Sequence, residues 1–162
     1  MLQSLFKLLN LRPEKISKNF LPLALLISLI GFFDSAYLLA EHVRGTVPNC
    51  VVIKGCDVVA TSKYSTIAGG VPVALLGVIF YITFFLLLFS WRDFKKPVLF
   101  NLAILMTPFG FVTTLYLIYL QLFVIKAICI YCMLSAFTST ILFVISVPVL
   151  KQIWYNTRRT RV

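Results

Sequence analysis

Four long stretches of the chain are almost free of polar residues. Phe20 to Ala40 carries a single charge, Asp34, while Val71 to Ser90, Pro97 to Ile125 and Ala127 to Leu150 carry none. Each reaches the ~20 residues that a helix rising ~1.5 Å per residue needs to cross a ~30 Å hydrocarbon core. Lipid offers the backbone no hydrogen bonds, so runs of this kind pair their amides internally as helices. The pattern predicts an all-α integral membrane protein, a four-transmembrane-helix bundle with a long loop at about 41–70 between the first two helices. The third run exceeds one crossing and only Lys126 separates it from the fourth, which puts the turn around Gln121 to Ile128.

The first run follows a basic segment with Lys7, Arg12, Lys15 and Lys18, as a signal peptide would. It is longer than the ~7–15 apolar residues of a cleavable signal and lacks an A-x-A-like site, so a retained anchor is expected. Residues 1–11, "MLQSLFKLLNL", read as a short surface-lying amphipathic piece or a frayed tail.

Composition agrees with the pattern. Of 162 residues, 60% are hydrophobic and 12% charged, against about 45–50% and about 25% in soluble domains. The net charge of +10 does not indicate a nucleic-acid partner, because the basic residues flank apolar runs and no domain remains to build a reading surface. Their placement gives orientation. Eleven Lys and Arg lie in the N-terminal flank, in "WRDFKKP" and in the C-terminal tail; Arg44, Lys54, Lys63 and Lys126 lie on the other side. Both termini are therefore expected in the cytoplasm, and the long loop outside. The expected organisation is a flank at 1–19, a membrane domain at 20–150 and a basic tail at 151–162.

All four cysteines fall on the outer side. Cys50 and Cys56 lie in the loop, in "PNCVVIKGCD", and Cys129 and Cys132 lie where the chain re-enters the membrane, in "CIYC". An even number of cysteines on an oxidising side reads as disulfide chemistry. Structural staples are one reading. A disulfide across one helical turn constrains little, however, whereas a dithiol at a helix N-terminus gains thiolate character from the dipole and free N–H groups. Cys129 would stand nearer water, and Cys132 a turn deeper, towards lipid. A zinc cage is disfavoured: the loop spacing is C-x5-C, and His42 is the only histidine.

Together these features resemble the vitamin K epoxide reductase family in its bacterial form. The likeness rests on the loop cysteine pair after the first span, on "GCDVVATSKYSTIAGGVPVALLGVIFY" leading into the second, and on "YLIYLQLFVIKAICIYC" leading into the fourth. Ser62, six residues beyond Cys56, matches a serine the family keeps. The resemblance implies an enzyme, a membrane thiol:quinone oxidoreductase of the bacterial cytoplasmic membrane. It would pass electrons from an extracytoplasmic thioredoxin-like (DsbA-type) protein to a quinone, ubiquinone or menaquinone, and so generate protein disulfides. By position, Cys50 would exchange with the partner, Cys56 would pass electrons to Cys129, and Cys132 would react with the quinone. A donor as oxidising as DsbA, near −120 mV, needs an acceptor such as a quinone. The DsbB-type oxidases place their C-x-x-C pair first; here the order is reversed. Two polar positions of animal members are Ala136 here and, near the start of the second span, Val73. The resemblance therefore does not carry reduction of vitamin K epoxide over to this chain, and a quinone acceptor fits better. No thioredoxin domain follows the fourth span, so the partner is expected to be a separate protein. The competing class is a non-enzymatic membrane scaffold or transporter subunit with structural disulfides.

Other residues carry weaker expectations. Asp34, inside a span, is read as structural, with proton handling as the alternative. Ser62 would steady the loop or bond a quinone head. Gly77 and Tyr81, one turn apart, form a candidate quinone-binding face, although helix packing is the commoner use of such a glycine. Pro108 with Gly110 is expected to bend the third span and Pro148 to end the fourth. His42 reads as an interfacial loop residue.

Overall fold

The computed structural model of the protein describes residues 19–48, 55–67 and 70–159. The surface piece expected at residues 1–11 and the loop thiol Cys50 lie outside the described residues. Helix α1 spans Phe20–Arg44, the short loop helix α2 Cys56–Ala60, and a two-residue hairpin Thr66–Ile67 (β1) with Val71–Pro72 (β2). Helix α3 spans Val73–Phe94 and α4 Pro97–Tyr119, continued by a π-helix at Leu120–Ile125. Helix α5 spans Ile130–Arg159. The four expected membrane-crossing helices are present.

Local sequence explains where each begins and ends. Helix α1 runs a turn past Ala40 because its stop signal is Gly45, which adopts φ +68°. The Gly45 and Thr46 N–H groups then close on the His42 and Glu41 carbonyls at 3.1 and 3.0 Å, as in a Schellman ending. Its 25 residues rise ~37 Å, more than the thickness of a ~30 Å hydrocarbon core. Pro97 starts α4 at the position where its missing N–H costs nothing. Pro108 and Pro148 both lie inside continuous helices. The expectation that Pro148 ends the fourth helix is therefore corrected: α5 runs on to Arg159. In a membrane bundle, neighbouring groups can re-satisfy a carbonyl that proline leaves free.

Helix α1 packs against α3 and α5, and α4 closes the ring against α3 and α5. The bundle is close-packed at the end remote from the loop, where Ala24, Phe84, Leu88, Phe100, Ile104 and Leu142 are buried together. Gly31 lets the Tyr81 ring lie directly on α1. Outward-facing Phe33, Phe109 and Val112 are 67%, 75% and 63% exposed, as lipid-facing side chains are. At the loop end a cavity lies between the helices, and Cys56, Cys129 and Cys132 are found there.

Candidate active site

Helix α5 begins at Ile130, so Cys129 is its N-cap and Cys132 its third residue. The Cys129 carbonyl accepts the first helical bond, from the Met133 N–H at 3.0 Å. Its sulfur accepts the Cys132 backbone N–H at 3.4 Å. An N-cap serine or aspartate uses its oxygen in the same way. The C-x-x-C spacing thus makes one thiol the helix cap and stacks the other above the same turn. The Cys132 thiol's hydrogen bond acts most strongly on Cys129. Burial opposes it, and the N–H groups of Cys132 and Tyr131 reinforce it, bringing the Cys129 thiol down from 9.0 to about 7. Thiolate, the attacking form, is therefore well populated near neutral pH.

The approach to Cys129 is held by a residue that sequence reasoning passed over. Gln121 lies buried in the π-helix, and its side-chain oxygen accepts the Cys129 N–H at 3.0 Å. Its backbone carbonyl accepts the Ala127 N–H at 3.2 Å, as the chain turns through Lys126 at φ +57°. One glutamine thereby ends α4 and seats the start of α5. A polar residue inside an apolar run was the available signal.

The loop reaches the same place. At Gly55 the backbone lies against Ile128, and an added β-carbon would stand 2.7 Å from the Ile128 carbonyl oxygen. Cys56 directly follows Gly55, and Cys129 directly follows Ile128. The loop helix carrying Cys56 is thus seated over the start of α5. This explains why Cys129, expected near water, is only 2% exposed. In the structure Cys56 is disulfide-bonded, while Cys129 and Cys132 are free thiols.

Both inner thiols border a cavity of about 560 Å³. Ser62, Gly77 and Tyr81 line it as well, as do Val73 and Ala136, the apolar residues at the two departures noted above. Exposed Leu76, Ile79 and Phe109 also stand on its wall, so it opens sideways towards lipid. Ser62 donates its hydroxyl to the Val59 carbonyl at 2.8 Å and so closes α2. Gly77 admits Ser35, whose Oγ would meet a β-carbon there at 2.6 Å. The Tyr81 hydroxyl sits 2.8 Å from both the Ser135 carbonyl and Thr138 Oγ1, so its proton is committed to α5. Ser139 differs: it is buried, it borders the cavity, and its hydroxyl has no hydrogen-bond partner. Among the described residues no cluster of His, Cys, Asp or Glu suits a metal ion.

A reactive dithiol at a helix N-terminus, between a buried loop cysteine and a lipid-open apolar cavity, is equipped for thiol–disulfide exchange inside a membrane. No curated protein matches the sequence. The family model described as the vitamin K epoxide reductase family matches residues 22–147. The chain belongs to the vitamin K epoxide reductase family, and is accordingly a multi-pass membrane thiol–disulfide oxidoreductase.

Proposed function

We propose that this enzyme is a quinone-dependent thiol oxidase of a bacterial cytoplasmic membrane, which reoxidises a separate thioredoxin-fold (DsbA-type) protein on the outer face. The observation that carries the reading is the position of Cys132, on the wall of an apolar, lipid-open cavity and one turn above the capping thiol Cys129.

In this reading the partner's dithiol reduces the Cys50–Cys56 disulfide. The Cys56 thiolate then attacks the Cys129–Cys132 disulfide at Cys129, and Cys132 leaves as the thiolate. Attack of Cys50 on Cys56 re-forms the loop disulfide and releases Cys129. Each exchange breaks one S–S bond and makes one, so electrons move in pairs. Cys56 is only 1% exposed, which supports Cys50 as the thiol that meets the partner. A quinone supplies the final two-electron acceptor and takes up two protons on reduction. Its apolar ring suits a cavity walled by Leu76, Ile79, Val73 and Ala136, and the Ser139 hydroxyl offers a carbonyl a donor.

The deciding experiment mixes purified protein, a reduced thioredoxin-fold substrate and a short-chain quinone, and follows quinone absorbance. Wild type should reduce quinone, and alanine at any of the four cysteines should abolish turnover. With Cys50→Ala, a Cys56–Cys129 mixed disulfide should accumulate. A loop thiol joined instead to Cys132, or no quinone consumption by wild type, defeats the reading.

A further inference from the structure

Asp34 is a carboxyl in the interior of a membrane bundle, 7% exposed, with neither oxygen receiving a hydrogen bond. Its surroundings are fixed by its neighbours on α1. One turn inward, Gly31 meets the Tyr81 ring. One turn outward, Tyr37 packs on Tyr131 with ring centroids 5.0 Å apart. Tyr131 lies between Cys129 and Cys132, and Tyr81 is bonded to the Ser135 carbonyl just beyond them. Asp34 is therefore level with the turn of α5 that holds the dithiol. Ser35 and Leu38 on α1 border the cavity, whereas Asp34, rotated about 100° from Ser35, faces α5. The titratable groups that act on it are Cys129, Cys132 and Tyr131 at the start of α5, and Tyr81 on α3. No ion pair to Asp34 occurs among the described residues.

A buried carboxyl without donors is costly to keep, and in a membrane protein it marks function before packing. The dithiol supplies that function. Converting Cys129 and Cys132 to a disulfide removes two protons with two electrons. Cys129 already populates its thiolate, but Cys132 must lose its proton at the moment it attacks. Asp34, a buried carboxyl at the level of that thiol, is an acceptor built into the bundle.

We propose that Asp34 is the proton-handling carboxyl of the Cys129–Cys132 pair, accepting the Cys132 proton when the pair closes and returning it when the pair is opened. In closure, Cys129 has attacked a disulfide and holds a mixed disulfide. The Cys132 proton passes to the Asp34 carboxylate, and the Cys132 thiolate attacks the Cys129 sulfur. The Cys129–Cys132 bond forms, the mixed disulfide breaks, and its other sulfur leaves with the electron pair. In opening, Cys132 is the leaving thiolate and takes the proton back. The dithiol thus borders the cavity on one side and has Asp34, which takes the proton, within electrostatic reach on the other. The inference rests on Cys129 and Cys132 being the reacting pair, and not on the identity of the oxidant.

The test uses full-length reduced protein in detergent and dipyridyl disulfide, a small uncharged oxidant that releases one coloured thione when Cys129 attacks and a second when Cys132 closes the ring. The loop pair is replaced by alanines so that only the inner thiols report. In Asp34→Asn the first release should stay within twofold of the parent. The second should slow on the order of 10²-fold, the usual worth of a positioned acid or base, and should rise with pH where the parent is flat. Asp34→Glu should restore most of the rate. A second release with unchanged rate and pH profile in Asp34→Asn overturns the inference, and so does an equal loss of both releases. If the parent releases only one thione, the pair is not redox-active, and the inference and the assignment of the reacting pair fall together.

Discussion

Gly55 and Ile128 meet backbone to backbone, with room for no side chain between them: a β-carbon on Gly55 would stand 2.7 Å from the Ile128 carbonyl oxygen. Each residue immediately precedes a cysteine, so this contact sets how the loop thiol Cys56 approaches Cys129. A neighbouring backbone cannot step aside as a flexible side chain can. Gly55→Ala should therefore lift the loop from α5. In a Cys50→Ala background, the Cys56–Cys129 mixed disulfide should form at least about tenfold more slowly on non-reducing gels, while alkylation of Cys129 should become faster as its cover loosens. Overpacking of this kind costs about 1–3 kcal/mol. Trapping at the parent rate would show that the contact does not position the thiols.

The reactivity of Cys129 depends on its partner. Hydrogen bonding from the Cys132 thiol is the largest influence holding Cys129 at about 7. In Cys132→Ala that influence is gone while burial remains, so the thiol should rise to ~8.5 or above. A higher value means less thiolate at neutral pH. The rate of iodoacetamide labelling at pH 7 should fall on the order of tenfold and recover above pH 9. A labelling midpoint left near 7 would show that the helix N-terminus alone lowers it.

Gln121 satisfies the Cys129 N–H from a different helix. Gln121→Leu keeps the bulk but leaves that buried donor unpaired, which costs about 1–3 kcal/mol. Thermal unfolding in detergent should show the loss. Gln121→Glu keeps the acceptor and should recover most of the stability. A Leu variant as stable as wild type would mean that the N–H finds another acceptor.

Two glycines of the bundle should respond differently to the same methyl group. At Gly31 the obstacle is the buried Tyr81 ring, anchored by its hydroxyl to Ser135 and Thr138. At Gly77 it is the Ser35 hydroxyl, which can rotate. Gly31→Ala should destabilise by about 1–3 kcal/mol and Gly77→Ala by less than about 1 kcal/mol. Reversal of that order in unfolding midpoints would contradict the packing described for α1 and α3.

Ser139 gives a direct handle on the cavity. If its hydroxyl donates to a quinone carbonyl, Ser139→Ala should raise KM for quinone severalfold, the equivalent of about 0.5–1.5 kcal/mol. Labelling of Cys129 should be unaltered. An unchanged KM would remove Ser139 from the acceptor site.

Much of the molecule follows from patterns local to the chain. Uninterrupted apolar runs require helices because lipid bonds no backbone, and Gly45 and Lys126 mark where two of them stop. The pair at Cys129 and Cys132 is legible as well, since three-residue spacing at a helix start makes the first thiol a cap for the second whatever surrounds them. Contacts between distant parts of the chain left no such trace. The closeness of Gly55 to Ile128, the reach of Gln121 across to Cys129, the commitment of the Tyr81 hydroxyl to α5 and the isolation of Asp34 all depend on how the helices pack. Hydrophobic pattern alone does not fix that packing, because a lipid-facing and a bundle-facing leucine look alike in sequence. Only the assembled bundle decided which polar groups found partners and which, Asp34 and Ser139 among them, did not.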